Sequence, residues 1–335
     1  MILTFLILVS FILMRMILYC LLSVFSNSWT TADPSATVLT EFTYQYERKL
    51  RKVPLKLFYP TDRKATNLPV IIMSHGLGGS REMGTYLGKY WSEKGFVVIA
   101  MQHEGSDGEI FKGLPKKEYV KAMKRAMSAE SWLKRMHDVP ATIDKIAQWN
   151  TERDHLLFGK VNMKQLGMCG HSFGAITTLS ASGQWNALVG QKFTDRRIKA
   201  AFAMSPSTPR KRGKPDMDAT KKAFARVTIP WLLMTGTKDT VFLTPQVTVE
   251  SRKQVYAHLP AGDKYQLVLD GANHMAFSDR TLLGKKQRNP NHHKAIQQIS
   301  LAFFQAYLKG DEKAKIWLKE DVRQVLDDKD SWDGK

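Results

Sequence analysis

The sequence predicts an α/β domain: one doubly wound, mostly parallel sheet with an antiparallel hairpin at its N-terminal end. Three observations predict it. Short continuous apolar runs (LPVIIM, FVVIAM, LGMC, IKAAFAM, IPWLLM and YQLVL) recur along the 335 residues. They lack polar alternation, as strands buried on both faces do. Stretches of helical spacing separate them, and strands alternating with helices make a parallel sheet the economical arrangement. Finally, Leu166–Ser180, LGMCGHSFGAITTLS, climbs through Gly170, His171, Ser172, Phe173 and Gly174 into small and apolar residues at helical spacing. That is a sharp strand-to-helix turn with glycine on either side of a serine.

In chain order, Val38–Tyr46 and Val53–Tyr59 alternate apolar and polar residues around the basic turn ERKLRK, as a hairpin does, and Pro60 ends the second strand. Leu68–Met73 is a central strand that runs into Ser74-His75-Gly76-Leu77-Gly78-Gly79. A helix over Met83–Lys94 stops at Gly95, and Phe96–Met101 is the next buried strand. After the polar loop QHEGSDG, Lys116–Trp149 reads as two helices parted near Pro140. Leu166–Cys169, Ile198–Met204, Ile229–Met234 and Tyr265–Leu269 are the remaining strands, and an amphipathic helix over His293–Leu308 closes the sheet. The domain therefore spans 38–310, with a charged, helical tail over 311–335 that carries Ile316, Trp317, Leu318 and Val325. Ser207–Lys222, with six basic and two acidic residues, follows a strand and so falls on the carboxyl edge of the sheet, as a solvated loop or a flap.

Residues 1–28 stand apart from the fold. Met1–Phe25 is apolar except for Arg15 and a few small polar residues. Read from Met14 or Met16, it has a basic start, an apolar core over Ile17–Phe25 and small residues at Ser26 and Ser28, the pattern of a secretory signal. A secreted or periplasmic protein is expected, with an uncleaved membrane anchor as the alternative. Cys20 follows Tyr19, a poor fit to a lipoprotein signal. Without the leader Cys169 is alone, so no intramolecular disulfide is expected and Cys169 reads as a buried core thiol. Fifty Lys and Arg against 31 Asp and Glu give a net charge of +19. Such a charge favours an anionic surface as partner. There is no motif for nucleic acid.

The chemistry centres on G-x-S-x-G between strand and helix, the context of a nucleophile elbow. A serine hydroxyl needs a base within hydrogen-bond reach. His274, in LDGANHMAF just after the last strand, sits where a loop can return its ring over Ser172. Asp239, in LLMTGTKDTVF after the preceding strand, is the carboxylate that orients that ring, giving the chain order Ser, Asp, His. Asp270 is the reserve acid, too close to His274 in sequence to reach round the ring. The oxyanion donors are the backbone N–H groups of Phe173 and Leu77, with Gly76, Gly78 and Gly79 letting the main chain come close. His75 and His171 flank the site and are expected to support its loops by hydrogen bonds, while Gly170 and Gly174 admit the tight turn. His292 and His293 are adjacent, point apart on a helix and read as a surface pair, not metal ligands. GLGG lacks the lysine of a phosphate-binding loop. No cofactor or metal is implied.

On these residues, Val38–Leu308 resembles the α/β-hydrolase fold. Within it, SHGLGGSREMGTYLGKYWSEKGFVVIAMQHEGSDG together with GHSFG resembles the plasma-type platelet-activating factor acetylhydrolase and its bacterial relatives. The resemblance implies an ester hydrolase that tolerates small acyl groups, with Ser172 as nucleophile and Leu77 and Phe173 as oxyanion donors. That mammalian family carries its acid after the strand matching IKAAFAM, where this chain has no Asp or Glu; Asp239 instead resembles the placement in dienelactone-hydrolase-like and cutinase-like polyesterases. The departure bears on phospholipid specificity and not on ester hydrolysis. The expectation is an exported serine esterase acting on short-chain carboxylic esters, with a small-molecule, lipid or polymeric ester as substrate. The alternatives are a phospholipase A2-type, acetylhydrolase-like lipid esterase and a catalytically silent binding protein held at a membrane.

Overall fold

In the computed structural model the described residues are 37–212, 214–279 and 289–335, so the leader expected over 1–28 lies outside them. Strand β1 (Thr37–Tyr46) pairs antiparallel with β2 (Lys49–Phe58), from Thr37 opposite Phe58 to Tyr46 opposite Lys49. The turn is therefore only Glu47 and Arg48, tighter than the six-residue turn expected. Glu47 takes a φ of 54° to close it, and Arg51 becomes a strand residue that is 5% exposed.

The chain continues through β3 (Leu68–Ser74), α1 (Thr85–Glu93), β4 (Val97–Met101), α2 (Tyr119–Ala126), α3 (Ala129–Trp149), β5 (Val161–His171), α4 (Phe173–Ala181) and β6 (Ile198–Met204). A two-stranded ribbon of β7 (Arg210–Lys211) and β8 (Lys214–Pro215) leads into α5 (Met217–Phe224) and β9 (Trp231–Lys238). Then come α6 (Val249–Ala257), β10 (Lys264–Asn273), α7 (Pro290–Phe304), α8 (Glu312–Glu320) and β11 (Ser331–Gly334). The nine-stranded sheet has the order β1-β2-β4-β3-β5-β6-β9-β10-β11. Strands β4, β3, β5, β6, β9 and β10 are parallel to their neighbours among themselves.

Helices cover both faces, and the two-residue period of the strands shows which residues meet them. Ile71 and Met73 of β3, Phe202 and Met204 of β6 and Leu232 and Met234 of β9 join one core with Trp91 of α1, Phe303 and Phe304 of α7 and Leu318 of α8. Their neighbours turn the other way: Val70 and Ile72 pack with Val139, Ile143 and Ile146 of α3. Likewise Ala201, Ala203 and Leu233 pack with Leu179, Phe224 and Val255 of the helices α4 to α6. Each fully buried Val, Leu, Ile, Phe or Met among them contributes about 1.5–3 kcal/mol, which is why these runs lack alternation.

Three sequence expectations are corrected. The break in the long helical stretch falls at Met127 and Ser128, where the Ser128 hydroxyl caps α3, and Pro140 lies inside α3. The helix runs through the proline because Met136, Val139, Ile143 and Ile146 bury its face and offset the lost backbone bond. Ser207–Lys222 is structured as the β7–β8 ribbon and most of α5, whose N-terminus Asp216 caps through a 3.0 Å bond from the Ala219 N–H. The tail is helical only in part: after α8 it ends in β11, added antiparallel to the edge of β10. Trp332 stacks on Tyr265 with centroids 5.4 Å apart, and its indole N–H donates to the Leu318 carbonyl at 3.1 Å. That pairing covers an edge that would otherwise present unpaired backbone groups.

Trp332→Ala should therefore lower the unfolding free energy by about 1–3 kcal/mol. Urea unfolding checks this, and an unchanged midpoint would show that β11 contributes nothing to the sheet.

Candidate active site

Because β3, β5, β6, β9 and β10 run the same way, their carboxyl ends meet along one edge. Ser172, between β5 and α4, departs from ordinary backbone there, with φ 58° and ψ −114°. A non-glycine residue with such a φ is costly, about 1–3 kcal/mol, and persists only when its surroundings enforce it. Here a methyl on Gly170 would strike the Gly174 carbonyl, and one on Gly174 would strike the Ser74 carbonyl at the end of β3. The Ser172 N–H is tied to the Met204 carbonyl of β6 at 2.9 Å.

The strained turn presents Ser172 Oγ 2.9 Å from His274 Nε2, and His274 Nδ1 lies 2.7 Å from Asp239 Oδ1. An ionised carboxylate only accepts, so Nδ1 carries the ring hydrogen and Nε2 is left to accept from the Ser172 hydroxyl. Asp239 is fully buried; Oδ2 accepts from Thr235 at 2.9 Å, and the buried Arg252 guanidinium lies 3.3 Å from Oδ1. Burial pushes this carboxyl up, but the hydrogen bond and charge of His274 and the charge of Arg252 outweigh it and hold it well below the usual carboxylate range. Gly236 lets β9 and β10 close up, since a methyl there would strike the Ala272 carbonyl. Asp270 is turned away, its carboxylate accepting from Thr237 at 3.1 Å.

The loop bearing His274 is clamped from α7. His292 Nε2 lies 2.9 Å from the Asp270 carbonyl, and His293 Nε2 lies 3.0 Å from the Ala276 carbonyl, one anchor on each side of His274. His292 is 5% exposed and His293 stacks on Tyr86 at 3.9 Å, so the expected surface pair is a structural one. Adjacent helix residues can do this because the loop folds over the first turn of α7.

Leu77 and Phe173 bring their N–H groups to the same edge. Phe173 is the first residue of α4, whose N–H a helix leaves unpaired, and the Leu77 N–H makes no backbone hydrogen bond among the described residues. Gly76 is close to the serine: a methyl there would sit 3.5 Å from Ser172 Cβ. His75 supports this loop as expected, with Nδ1 2.6 Å from the Gly76 carbonyl and Nε2 accepting from the His103 N–H at 3.0 Å. His171 supports by packing instead. Its ring lies 4.6 Å from that of His274, and its nitrogens make no side-chain hydrogen bond of acceptable geometry among the described residues. Burial first, and then the charge of His274, push it down to about 3, so it is neutral.

A buried polar network behind the loop escaped the sequence reading. Ser74 Oγ is 2.9 Å from His103 Nε2, and His103 Nδ1 is 2.8 Å from Asp138 Oδ2. Asp138 also takes Arg51 at 2.6 and 2.8 Å and the Tyr44 hydroxyl at 2.9 Å. The one signal in the sequence was Arg135 and Asp138, charges spaced i, i+3 on the apolar face of α3. Among the described residues no group of three or more His, Cys, Asp or Glu is arranged to hold a metal ion. Cys169 is fully buried and burial pushes its thiol far up.

A doubly wound sheet with this elbow is the arrangement of the α/β-hydrolase fold. Residues 52–136 match the model of the family described as platelet-activating factor acetylhydrolase, isoform II. The matched quarter of the chain runs from β2 into α3 and takes in the His75–Gly79 loop, while Ser172, Asp239 and His274 lie beyond it. The match supports a lipid or ester hydrolase of the α/β class.

The Asp239 carboxyl is depressed in the fold relative to about 3.9 in an unfolded chain, so its stabilising effect is complete above about pH 4 and is lost as pH falls towards its folded value. The stability gap between the protein and Asp239→Asn should therefore shrink below about pH 4. Urea unfolding across pH 2 to 7, as an approximate range, reads this, and a constant gap would contradict it.

Proposed function

We propose that the chain is an exported serine esterase that hydrolyses carboxylic esters of short acyl chain through an acyl-enzyme. The observation that carries the reading is the unbroken relay from Ser172 Oγ to His274 at 2.9 Å and from His274 to Asp239 at 2.7 Å. As Ser172 Oγ bonds to the ester carbonyl carbon, its proton passes to His274 Nε2 and the carbonyl π electrons move onto oxygen. The oxyanion faces the N–H groups of Leu77 and Phe173, while ionised Asp239 stabilises the imidazolium. Collapse of the intermediate expels the alkoxide, which takes the proton from Nε2 and leaves as the alcohol. Water then repeats the sequence on the acyl-enzyme, giving up a proton to His274, and the acid leaves as Ser172 recovers its hydrogen.

Support for a short acyl chain comes from the resemblance of the His75–Gly79 loop and the elbow to acetylhydrolases. Export rests on the leader-like residues 1–28, and the net charge of +19 supports an anionic surface as partner. Among the described residues no helix is long and apolar enough to cross a membrane.

The acetylhydrolase family match favours a second reading, a lipid esterase of phospholipase A2 type. It expects vesicles of anionic phospholipid to be better substrates than soluble esters, and indifference to them would count against it.

Ser172→Ala should lower turnover of p-nitrophenyl acetate by roughly ten-thousandfold, and Asp239→Asn by a similar order. Turnover falling from acetyl to palmitoyl in the same ester series is the expected profile. Normal ester turnover by Ser172→Ala would end the esterase reading, while an optimum at long chains would transfer the weight to the lipid reading.

A further inference from the structure

Arg135 is 0% exposed, yet among the described residues no carboxylate lies within ion-pair distance of its guanidinium. A buried cation without such a partner is costly, so the contacts that hold it decide what it is there to do. Its bonds go to neutral acceptors: Nε donates to Ser106 Oγ at 2.9 Å, one terminal nitrogen donates to the His75 carbonyl at 2.7 Å, and the same nitrogen lies 3.4 Å from Ser74 Oγ. The remaining face of the guanidinium lies 4.2 Å from the ring centre of Phe173.

These contacts join the two halves of the oxyanion hole. The His75 carbonyl belongs to the strand-end peptide just before Gly76 and Leu77, and the Phe173 ring belongs to the residue whose N–H is the other donor. The Gly78 N–H donates to the Ser106 carbonyl at 2.9 Å, so the residue that holds Arg135 Nε also holds the far side of the loop. Behind Arg135, neutral His103 hands the load to Asp138 and Arg51, and Ser74 closes the circuit. Burial first, then the charge of Arg135, push His103 down to about 4, so the network puts no second positive charge on that ring at neutral pH. Burial pushes Arg135 itself down to about 9, which leaves it a cation at neutral pH. The charges of Asp138 and Asp107 favour that cation through space without touching it.

We propose that Arg135 is a positioning residue of the oxyanion hole: it braces the Leu77 and Phe173 donors against each other and keeps a buried positive charge behind them. It does not touch the reacting atoms. A preorganised charge that gains a further counter-charge when the carbonyl oxygen becomes an oxyanion acts on the transition state more than on the bound ester. The effect therefore belongs in kcat and in the affinity for tetrahedral analogues, with KM left nearly alone. The inference rests on the serine esterase reading.

The experiment measures p-nitrophenyl acetate kinetics and inhibition by an alkyl boronic acid for Arg135→Lys, Arg135→Met and Phe173→Leu, with Ser172→Ala and thermal unfolding alongside. Arg135→Lys keeps the charge but loses the fork, and should lower kcat about tenfold. Arg135→Met should lower it about a hundredfold or more, with KM within about twofold in each and boronate affinity falling by the same factor as kcat. Phe173→Leu keeps the backbone donor and removes only the ring, so it tests the brace even if Arg135→Met fails to fold; a kcat loss of several-fold, about three to ten, is expected. Ser172-dependent turnover with wild-type kcat in Arg135→Lys and Phe173→Leu would overturn the proposal alone, as would losses that appear in KM and leave boronate binding unchanged. Turnover that survives Ser172→Ala would overturn the esterase reading and this proposal with it.

Discussion

The close approach of β3, β5 and α4 at the elbow is the constraint on which the rest depends. Gly174 lies against the Ser74 carbonyl and Gly170 against Gly174, so no side chain fits at either position. The chain can leave β5 and enter α4 only through a left-handed φ at Ser172. That strain of about 1–3 kcal/mol is small beside the buried strands that enforce it. Its consequence is a serine hydroxyl lifted off the sheet edge, at the start of a helix whose first N–H is free to receive charge. The positions of Asp239 and His274 follow from the parallel strands ending at the same edge, with Gly236 letting the last two draw together.

Electrostatics divide the site into two compartments. On one side Asp239 is ionised, ring-bonded to His274 and flanked by Arg252, a buried negative charge already answered by two basic groups. On the other side Arg135 is a buried positive charge held by neutral acceptors and an aromatic face. Ser172 meets His274 on the first side, and the ring of its neighbour Phe173 lies on Arg135 on the second. In the proposed esterase reaction the first compartment would stabilise the imidazolium, and the second would gain a counter-charge as negative charge grows on the substrate oxygen. Burial strengthens both effects by excluding water.

What was legible in the sequence follows from which interactions are local. The buried strands announce themselves because both faces are apolar, and the elbow because its glycines and serine are five consecutive residues. Ser172, Asp239 and His274 could be assigned in advance from strand ends and chain order, and the structure brings them within hydrogen-bond reach. Arg51 was hidden because the hairpin turn is tighter than the basic run suggests, which moves it from a solvated turn into a strand facing Asp138. Arg135 and Asp138 looked like ordinary charges on an amphipathic helix, since their partners His75, His103 and Phe173 lie about 30 to 60 residues away in sequence. His292 and His293 were read by helical spacing alone, whereas their role is set by the loop that folds over them. β11 is four residues long, and Trp332 gains a partner only when Tyr265 is already in place.

The most direct test of the central claim is peptide mapping by mass spectrometry after reaction of the folded protein with a fluorophosphonate. One covalent adduct is expected, on Ser172, formed rapidly by the protein and far more slowly by His274→Ala. An adduct on another residue, or none in protein whose unfolding transition is intact, would contradict it.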